Sequence, residues 1–179
     1  IIDDGSTDNT SDIIDLYTHH PRVSTFRTEA IGLPSVINLA LSKANGTYFI
    51  RLDGDDYFDP HILLVLVQAL ENDSNLALVF PDYYVTNSIG KILRHERREP
   101  FFTNNHMPDV PPHGACTLFR TTILRQLGGY REDLGSQDGF DVWSRIKDQF
   151  PVKNVNLPLF YYRRHGTNLT EDSQRIFMA

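Results

Sequence analysis

"FIRLDGDDYFDP", residues 49–60, runs apolar as far as Leu52 and then sets Asp53, Asp55 and Asp56 within four positions. Three carboxylates in one tight turn repel one another, so either water solvates them or something positive sits between them. The turn follows a largely apolar run, Thr47 to Leu52, that reads as a buried strand. It precedes Asp59-Pro60, a cap and first turn for a helix with Ile62, Leu63, Leu66, Val67 and Leu70 on one face. The order is therefore strand, acidic turn, helix.

The same alternation extends outward in both directions. Ile1-Ile2 reads as a strand end, Thr7 or Asp8 can cap a helix facing inward through Ile13, Leu16 and Tyr17, and Val23 to Phe26 reads as the next strand. Pro34 suits the first turn of a helix burying Val36, Ile37, Ala40, Leu41 and Ala44, which Asn45-Gly46 ends. Beyond the acidic turn come a strand over residues 76–80 and a hairpin over 83–93, turning at Ser88 to Lys91. Residues 96–113, with four prolines, read as a long loop of the kind that is usually functional. An apolar strand near residues 116–119, a helix from Ile123 to Leu127, a helix over 140–150 burying Trp143 and Ile146, and strands at 152–155 and 159–162 complete the chain. Strands alternating with helices predict an α/β fold with a mostly parallel sheet covered on both faces.

Composition limits the function classes. The 179 residues, 40% of them hydrophobic, fit one domain with a real core. A net charge of −6 gives no basic footprint, which excludes nucleic acid as the expected partner. Cys116 is the only cysteine, so no intrachain disulfide forms, and a reducing compartment suits it. No apolar run approaches the roughly 20 residues of a membrane span. The chain opens inside a strand without an initiator Met, and an N-terminally truncated fragment is expected.

In an open α/β sheet the carboxyl ends of the strands form the ligand crevice, and both "DDGSTD" (3–8) and "DGDD" (53–56) lie directly after strands. Asp53 and Asp55, separated by Gly54, can direct oxygens at one hard divalent cation such as Mg²⁺ or Mn²⁺ shared with a ligand's diphosphate. An ordinary acidic turn with Asp59 as a helix cap is the plain alternative. An EF-hand loop fails, since Phe58 and Leu64 stand where Gly and Glu are needed.

"IIDDGSTDNT", "GLPSVINLAL", "ANGTYFIRLDGDD", "HGACTLFR", "LGGYRED", "QDGFDVWSRI" and "YYRRHGTN" occur in that order. Together they resemble the ordered motifs of the family 2 glycosyltransferases, over residues 1 to about 170. The resemblance implies a GT-A fold: a Rossmann-like, mostly parallel sheet between helices, with a small hairpin and an acceptor-side subregion. It implies a donor half over 1–95, an acceptor and catalytic half over 96–179, and a strand and helix normally preceding "DDGS". The activity implied is inverting transfer of a sugar from a nucleotide-diphospho-sugar to an acceptor hydroxyl on a saccharide or lipid-linked molecule. A bacterial surface polysaccharide or glycolipid pathway, in the cytoplasm or at the inner face of the membrane, is the setting expected by analogy.

Residue by residue, the resemblance implies that Asp4 contacts the nucleotide base, with Asp3 and Ser6 shaping that pocket. Asp55 becomes a metal ligand, and Asp53 reaches the ribose or the metal. Asp138 becomes the general base, with Asp141, three residues on, as the alternative because Gln137 replaces the family's usual Glu. Arg163 would meet the diphosphate, and His165 would be a third metal ligand or a phosphate donor. His113-Gly114-Ala115 resembles the acceptor rim. Two other classes stay open on the residues alone. One is a phosphohydrolase of the haloacid dehalogenase type, with Asp53 as nucleophile and Asp55 as acid/base. The other is a non-catalytic sugar-nucleotide-binding domain.

Overall fold

The computed structural model describes residues 1–97, 111–166 and 168, the side chains of residues 135–138 excepted. β1 (Ile2–Asp4) and β2 (Phe26–Thr28) pair in parallel across α1 (Thr10–Asp15), which is the β-α-β unit expected at the start. α2 (Leu33–Lys43) carries Pro34 in its first turn and buries Ile37 and Leu41. β3 (Tyr48–Ile50) leads into the acidic turn, β4 (Tyr57–Phe58) leaves it, and α3 (Ile62–Glu71) buries Ile62, Leu66 and Leu70. β5 (Leu78–Thr86) and β6 (Ile92–Glu96) form the expected hairpin. A 3₁₀ turn (Gly114–Cys116), β7 (Leu118–Arg120) and α4 (Thr121–Gln126) follow. A 3₁₀ helix (Glu132–Gln137) then runs into α5 (Asp138–Lys147), and β8 (Val152–Arg163) closes the described fold.

The main sheet has the order β3-β7-β5-β8-β4, with β6 also on β5, and β1 and β2 form a separate two-stranded sheet. The α/β architecture is the expected one, but the sheet is mixed and not mostly parallel. β5 and β8 run parallel, whereas β7 enters antiparallel to both β3 and β5, and β4 and β6 are antiparallel to their neighbours. Hydrophobic period identifies a strand without its direction, which depends on how the connections return across the sheet. The two short strands expected at 152–155 and 159–162 are one strand, with irregular register opposite Pro81, Asp82 and Tyr83. Most of the long loop expected over 96–113, residues 98–110, lies outside the described residues.

Side chains alternate along each strand, so β5 serves two cores at once. Leu78 and Phe80 point to a cluster with Ile37, Leu41, Leu124, Trp143 and Ile146 from α2, α4 and α5. Val79 points to the other face, with Ile62, Leu66 and Leu70 of α3 and Phe160 of β8. Trp143 is core, as its helical spacing predicts, and meets the Phe80 ring edge-on at 5.8 Å. Cys116 is fully buried, a small hydrophobe. α1 departs from expectation: Ile13, Leu16 and Tyr17 are exposed and α1 has no buried residue, because nothing among the described residues packs on that face.

Three arginines, Arg120, Arg125 and Arg145, have a shared task. Carbonyls at a helix C-terminus lack intrahelical donors and carry partial negative charge, which a guanidinium satisfies on both counts. Arg120 donates to the Leu70 carbonyl at 2.7 Å at the end of α3. Arg125 donates to the Leu41 carbonyl at 2.9 Å at the end of α2. Arg145 donates to the Leu127 carbonyl at 2.7 Å beyond α4. Each closes a helix end from a distant part of the chain.

Candidate active site

Each carboxylate of the acidic turn between β3 and β4 meets a partner from the chain itself. Arg51 pairs with Asp53: its Nε lies 2.8 Å from Oδ1 and Nη2 donates to Oδ2 at 3.2 Å. The Nε contact is an ion pair without hydrogen-bond alignment. The Arg51 guanidinium passes close to Gly114, where a Cβ would stand 3.1 Å from Nη2, so the absent side chain leaves it room. Asp55 meets His165, Nε2 to Oδ2 at 2.9 Å, and also accepts from the Asn168 amide at 3.3 Å. Asp56 accepts from the Arg163 N–H at 2.8 Å, tying the end of β8 to the turn. Sequence reasoning missed Arg51; the signal was one cation in an otherwise apolar strand directly ahead of three carboxylates.

Burial sets the proton affinities here. Asp53 is pushed up by burial, which the Arg51 charge partly opposes. Asp56 is 8% exposed, its Oδ2 has no hydrogen-bond partner among the described residues, and burial pushes its carboxyl up to about 7. The folded state therefore favours the neutral acid, so this group's contribution to stability is full below an ordinary carboxylate pKa of about 4 and is lost as pH rises toward 7. In metal-free buffer, Asp56→Asn is expected to flatten the fall in Tm between pH 5 and 8 and to raise Tm at pH 8 by roughly 4–8 °C. Parallel Tm curves for the two proteins across that range would refute a buried, proton-binding Asp56.

The donors at this turn suit a hard divalent cation. Among the described residues no three His, Cys, Asp or Glu side chains form a closed cage. Asp55 and His165 converge, while Asp53 is turned to Arg51. Mg²⁺ and Mn²⁺ sites commonly use one or two carboxylates and complete their coordination with water and a ligand's phosphates, so an open pair fits that role. Arg163 stands next to it, its guanidinium 5.8 Å from the Tyr57 ring centroid and its buried Nε without a hydrogen-bond partner among the described residues. Both features suit a phosphate-facing cation.

The turn after β1 is a second centre. Asp3 is buried and accepts from the Ser6 N–H at 2.9 Å and from Arg27 Nε at 3.0 Å. Hydrogen bonding from Ser6, ahead of the Arg27 charge, holds its pKa down. Asp4 accepts from Thr28 Oγ1 at 2.6 Å and from the Ile31 and Gly32 N–H groups at 2.8 and 2.9 Å. Burial pushes Asp4 up, and these hydrogen bonds together outweigh it and leave its pKa lowered. Beside it Ala30 is held at φ 53°, the left-handed region that a non-glycine residue adopts only under strain of order 1–3 kcal/mol.

On α5, Asp141 and Asp138 have separate situations. Arg145 Nε donates to Asp141 Oδ2 at 2.9 Å, and the pair is largely buried. Asp138 is the first residue of α5, and its side chain lies outside the described residues. His113 sits among aromatic rings, 4.7 Å from the Tyr162 centroid and 4.9 Å from that of Phe160, and its Nδ1 accepts from the Ala115 N–H at 3.3 Å.

Comparison with known proteins extends this geometry. A chondroitin synthase from Pasteurella multocida (strain Pm70) is 27% identical over 169 residues, covering 94% of this chain and 18% of that protein. A chondroitin synthase from Escherichia coli is 24% identical over 169 residues, again 94% of this chain and 25% of that protein. The chain thus spans a quarter or less of the length of these curated relatives. Among solved structures, S. aureus TarS 1–349 in complex with UDP-GlcNAc superposes with a TM-score of 0.78 at 17% identity, over 96% of this chain and 51% of that one. The mannosyltransferase PcManGT from Pyrobaculum calidifontis, in complex with GDP-Man and Mn²⁺, gives 0.64 at 20% identity, over 89% and 46%. These likenesses show the GT-A fold. No helix among the described residues is long and apolar enough to cross a membrane. The family model "Glycosyl transferase family 2" matches residues 1–128 and does not favour the phosphohydrolase alternative: the chain belongs to glycosyl transferase family 2.

Proposed function

We propose that this chain is the transferase domain of an inverting enzyme that moves a sugar from a nucleotide-diphospho-sugar to a hydroxyl of a saccharide or lipid-linked acceptor. The observation that carries the reading is the meeting of Asp55 and His165 at 2.9 Å, with Arg163 two residues from that histidine on the same segment. The neighbours in complex with UDP-GlcNAc and with GDP-Man and Mn²⁺ support a sugar nucleotide and a divalent cation. The relatives named for chondroitin synthesis support a saccharide acceptor and polysaccharide synthesis. A cytoplasmic setting is part of the same proposal.

In this reading residues 1–95 form the donor half and 96–179 the acceptor and catalytic half, from whose end Arg163 and His165 reach back to the donor. Asp3 and Ser6 brace the turn from which Asp4 reads a base edge with its remaining acceptor capacity. Asp55 and His165 would hold Mn²⁺ or Mg²⁺, which when bound would supply electrostatic stabilisation to the departing diphosphate. Arg163 donates to the phosphate oxygens, and Asp53, balanced by Arg51, faces the ribose or the metal. Asp138 accepts the proton of the acceptor hydroxyl as that oxygen bonds to the anomeric carbon, while the bond from that carbon to the diphosphate oxygen breaks on the opposite face. The carbon is inverted, and the nucleoside diphosphate leaves with the bonding electrons.

Isothermal titration of the full-length protein with UDP, GDP and CDP, with and without Mn²⁺, tests this. One diphosphate is expected to bind in a Mn²⁺-dependent manner. A folded protein that binds none of the three would end the donor-site reading.

A further inference from the structure

Asn38 on α2 connects the two halves through a completely used amide. Its Oδ1 accepts from the Tyr130 N–H at 2.9 Å, and its Nδ2 donates to the Tyr130 carbonyl at 2.8 Å and to Glu132 Oε1 at 2.9 Å. Ser35 Oγ, one helical turn earlier, donates to Glu132 Oε2 at 2.9 Å. These hydrogen bonds hold Glu132 as an anion, its pKa lowered by Asn38 first and Ser35 second. Gly129, at φ 71°, is required there: a Cβ would stand 2.5 Å from Asn38 Oδ1. From the opposite side Arg145 of α5 donates to the Gly129 carbonyl at 2.7 Å.

The segment 129–132 is thus gripped between α2 and α5, and Glu132 opens the 3₁₀ helix that runs directly into α5 at Asp138. The other end of the linkage is also fixed, since the N–H of Gly32, the cap residue of α2, is bound by Asp4. We propose that Asn38, Ser35 and Glu132 form a positioning clasp that sets the start of α5, and with it Asp138, against the helix anchored by the donor-side turn. This inference rests on the transfer reading above. The clasp lies at the surface, Glu132 being exposed, whereas folding is driven by the core beneath it, so its loss displaces α5 more than it unfolds the chain. A displacement of about 1 Å at a reacting group costs on the order of 10²-fold in rate.

Asn38→Asp sets a carboxylate against Glu132 and against the Tyr130 carbonyl. Glu132→Gln added to it restores a donor toward position 38 and leaves the oxygen of the new amide to accept from Ser35. In the full-length protein, two readouts are taken: hydrogen exchange of the amides at 130–137, and release of nucleoside diphosphate from UDP-GlcNAc and from GDP-mannose. For Asn38→Asp, exchange is expected to quicken by about tenfold, and kcat to fall about 10–100-fold with donor KM changed less than about threefold. The double variant is expected to recover part of both losses, since Glu132→Gln relieves the carboxylate pair while the Tyr130 carbonyl stays without its donor. Should Asn38→Asp fail to fold, Glu132→Ala, at an exposed position, is expected to lower kcat about tenfold with Tm within roughly 3 °C of wild type. Clasp variants that match wild type in exchange, or lose rate without rescue in the double variant, overturn the clasp. A wild type that releases nucleoside diphosphate from neither sugar nucleotide counts against the transfer reading instead, and the exchange and its rescue then decide the clasp alone.

Discussion

Asp55→Ala is expected to reduce sugar transfer by about 10³-fold and to remove the Mn²⁺ dependence of nucleoside diphosphate binding. The side chain is 40% exposed and faces His165 and Asn168, so it contributes no core packing. It also stands beside Asp53 and Asp56, whose own acidities its charge suppresses further. Removing it relieves that repulsion, and the metal-free variant is expected to melt no lower than wild type. Loss of rate without loss of stability is the pattern of a group retained for chemistry. Nucleoside diphosphate release and thermal melting, measured on the same preparations, check both halves. Transfer within tenfold of wild type would remove Asp55 from the site.

The second large effect separates the two aspartates of α5. Asp138→Asn is expected to lower kcat by about 10²–10⁴-fold, the range for loss of a general base, with nucleoside diphosphate affinity unchanged. Asp141→Asn is expected to do the reverse. Its carboxylate holds Arg145, which also binds the Leu127 and Gly129 carbonyls, so losing the charge costs about 1–3 kcal/mol of stability through that network. Its rate at temperatures where it stays folded should remain within tenfold of wild type. Parallel kcat, affinity and denaturation measurements on the two variants suffice. If Asp141→Asn proves inactive yet fully stable, while Asp138→Asn stays active, the base assignment moves to Asp141.

The opening question about the acidic turn has an answer that local sequence contained only in part. Arg51 was there to be read, two residues ahead of Asp53 and out of place in an apolar strand. His165, 110 residues from Asp55, was named only by resemblance, and the Arg163 N–H that reaches Asp56 from 107 residues away was not foreseen. Asn38 and Glu132 each stood in a quoted motif, but they lie 94 positions apart and nothing local pairs one with the other.

From the sequence alone follow the alternation of helices and strands, the inward faces of α2, α3 and α5 apart from Leu63, which the structure leaves exposed, and the two acidic turns after strands. It also carries the family, through the order of its motifs. Each of these rests on residues within a few positions of one another, where backbone period and cap chemistry act directly. Only the tertiary structure decided the mixed strand order, the exposure of α1, the pairing of Asp141 with Arg145 and the Asn38 clasp. Strand direction follows from how connections return across the sheet, and the exposure of α1 from what packs against it. The clasp needs two segments distant in sequence to close on one another, and the ion pair, though one helical turn long, takes its role from the Leu127 and Gly129 carbonyls that the fold brings to Arg145.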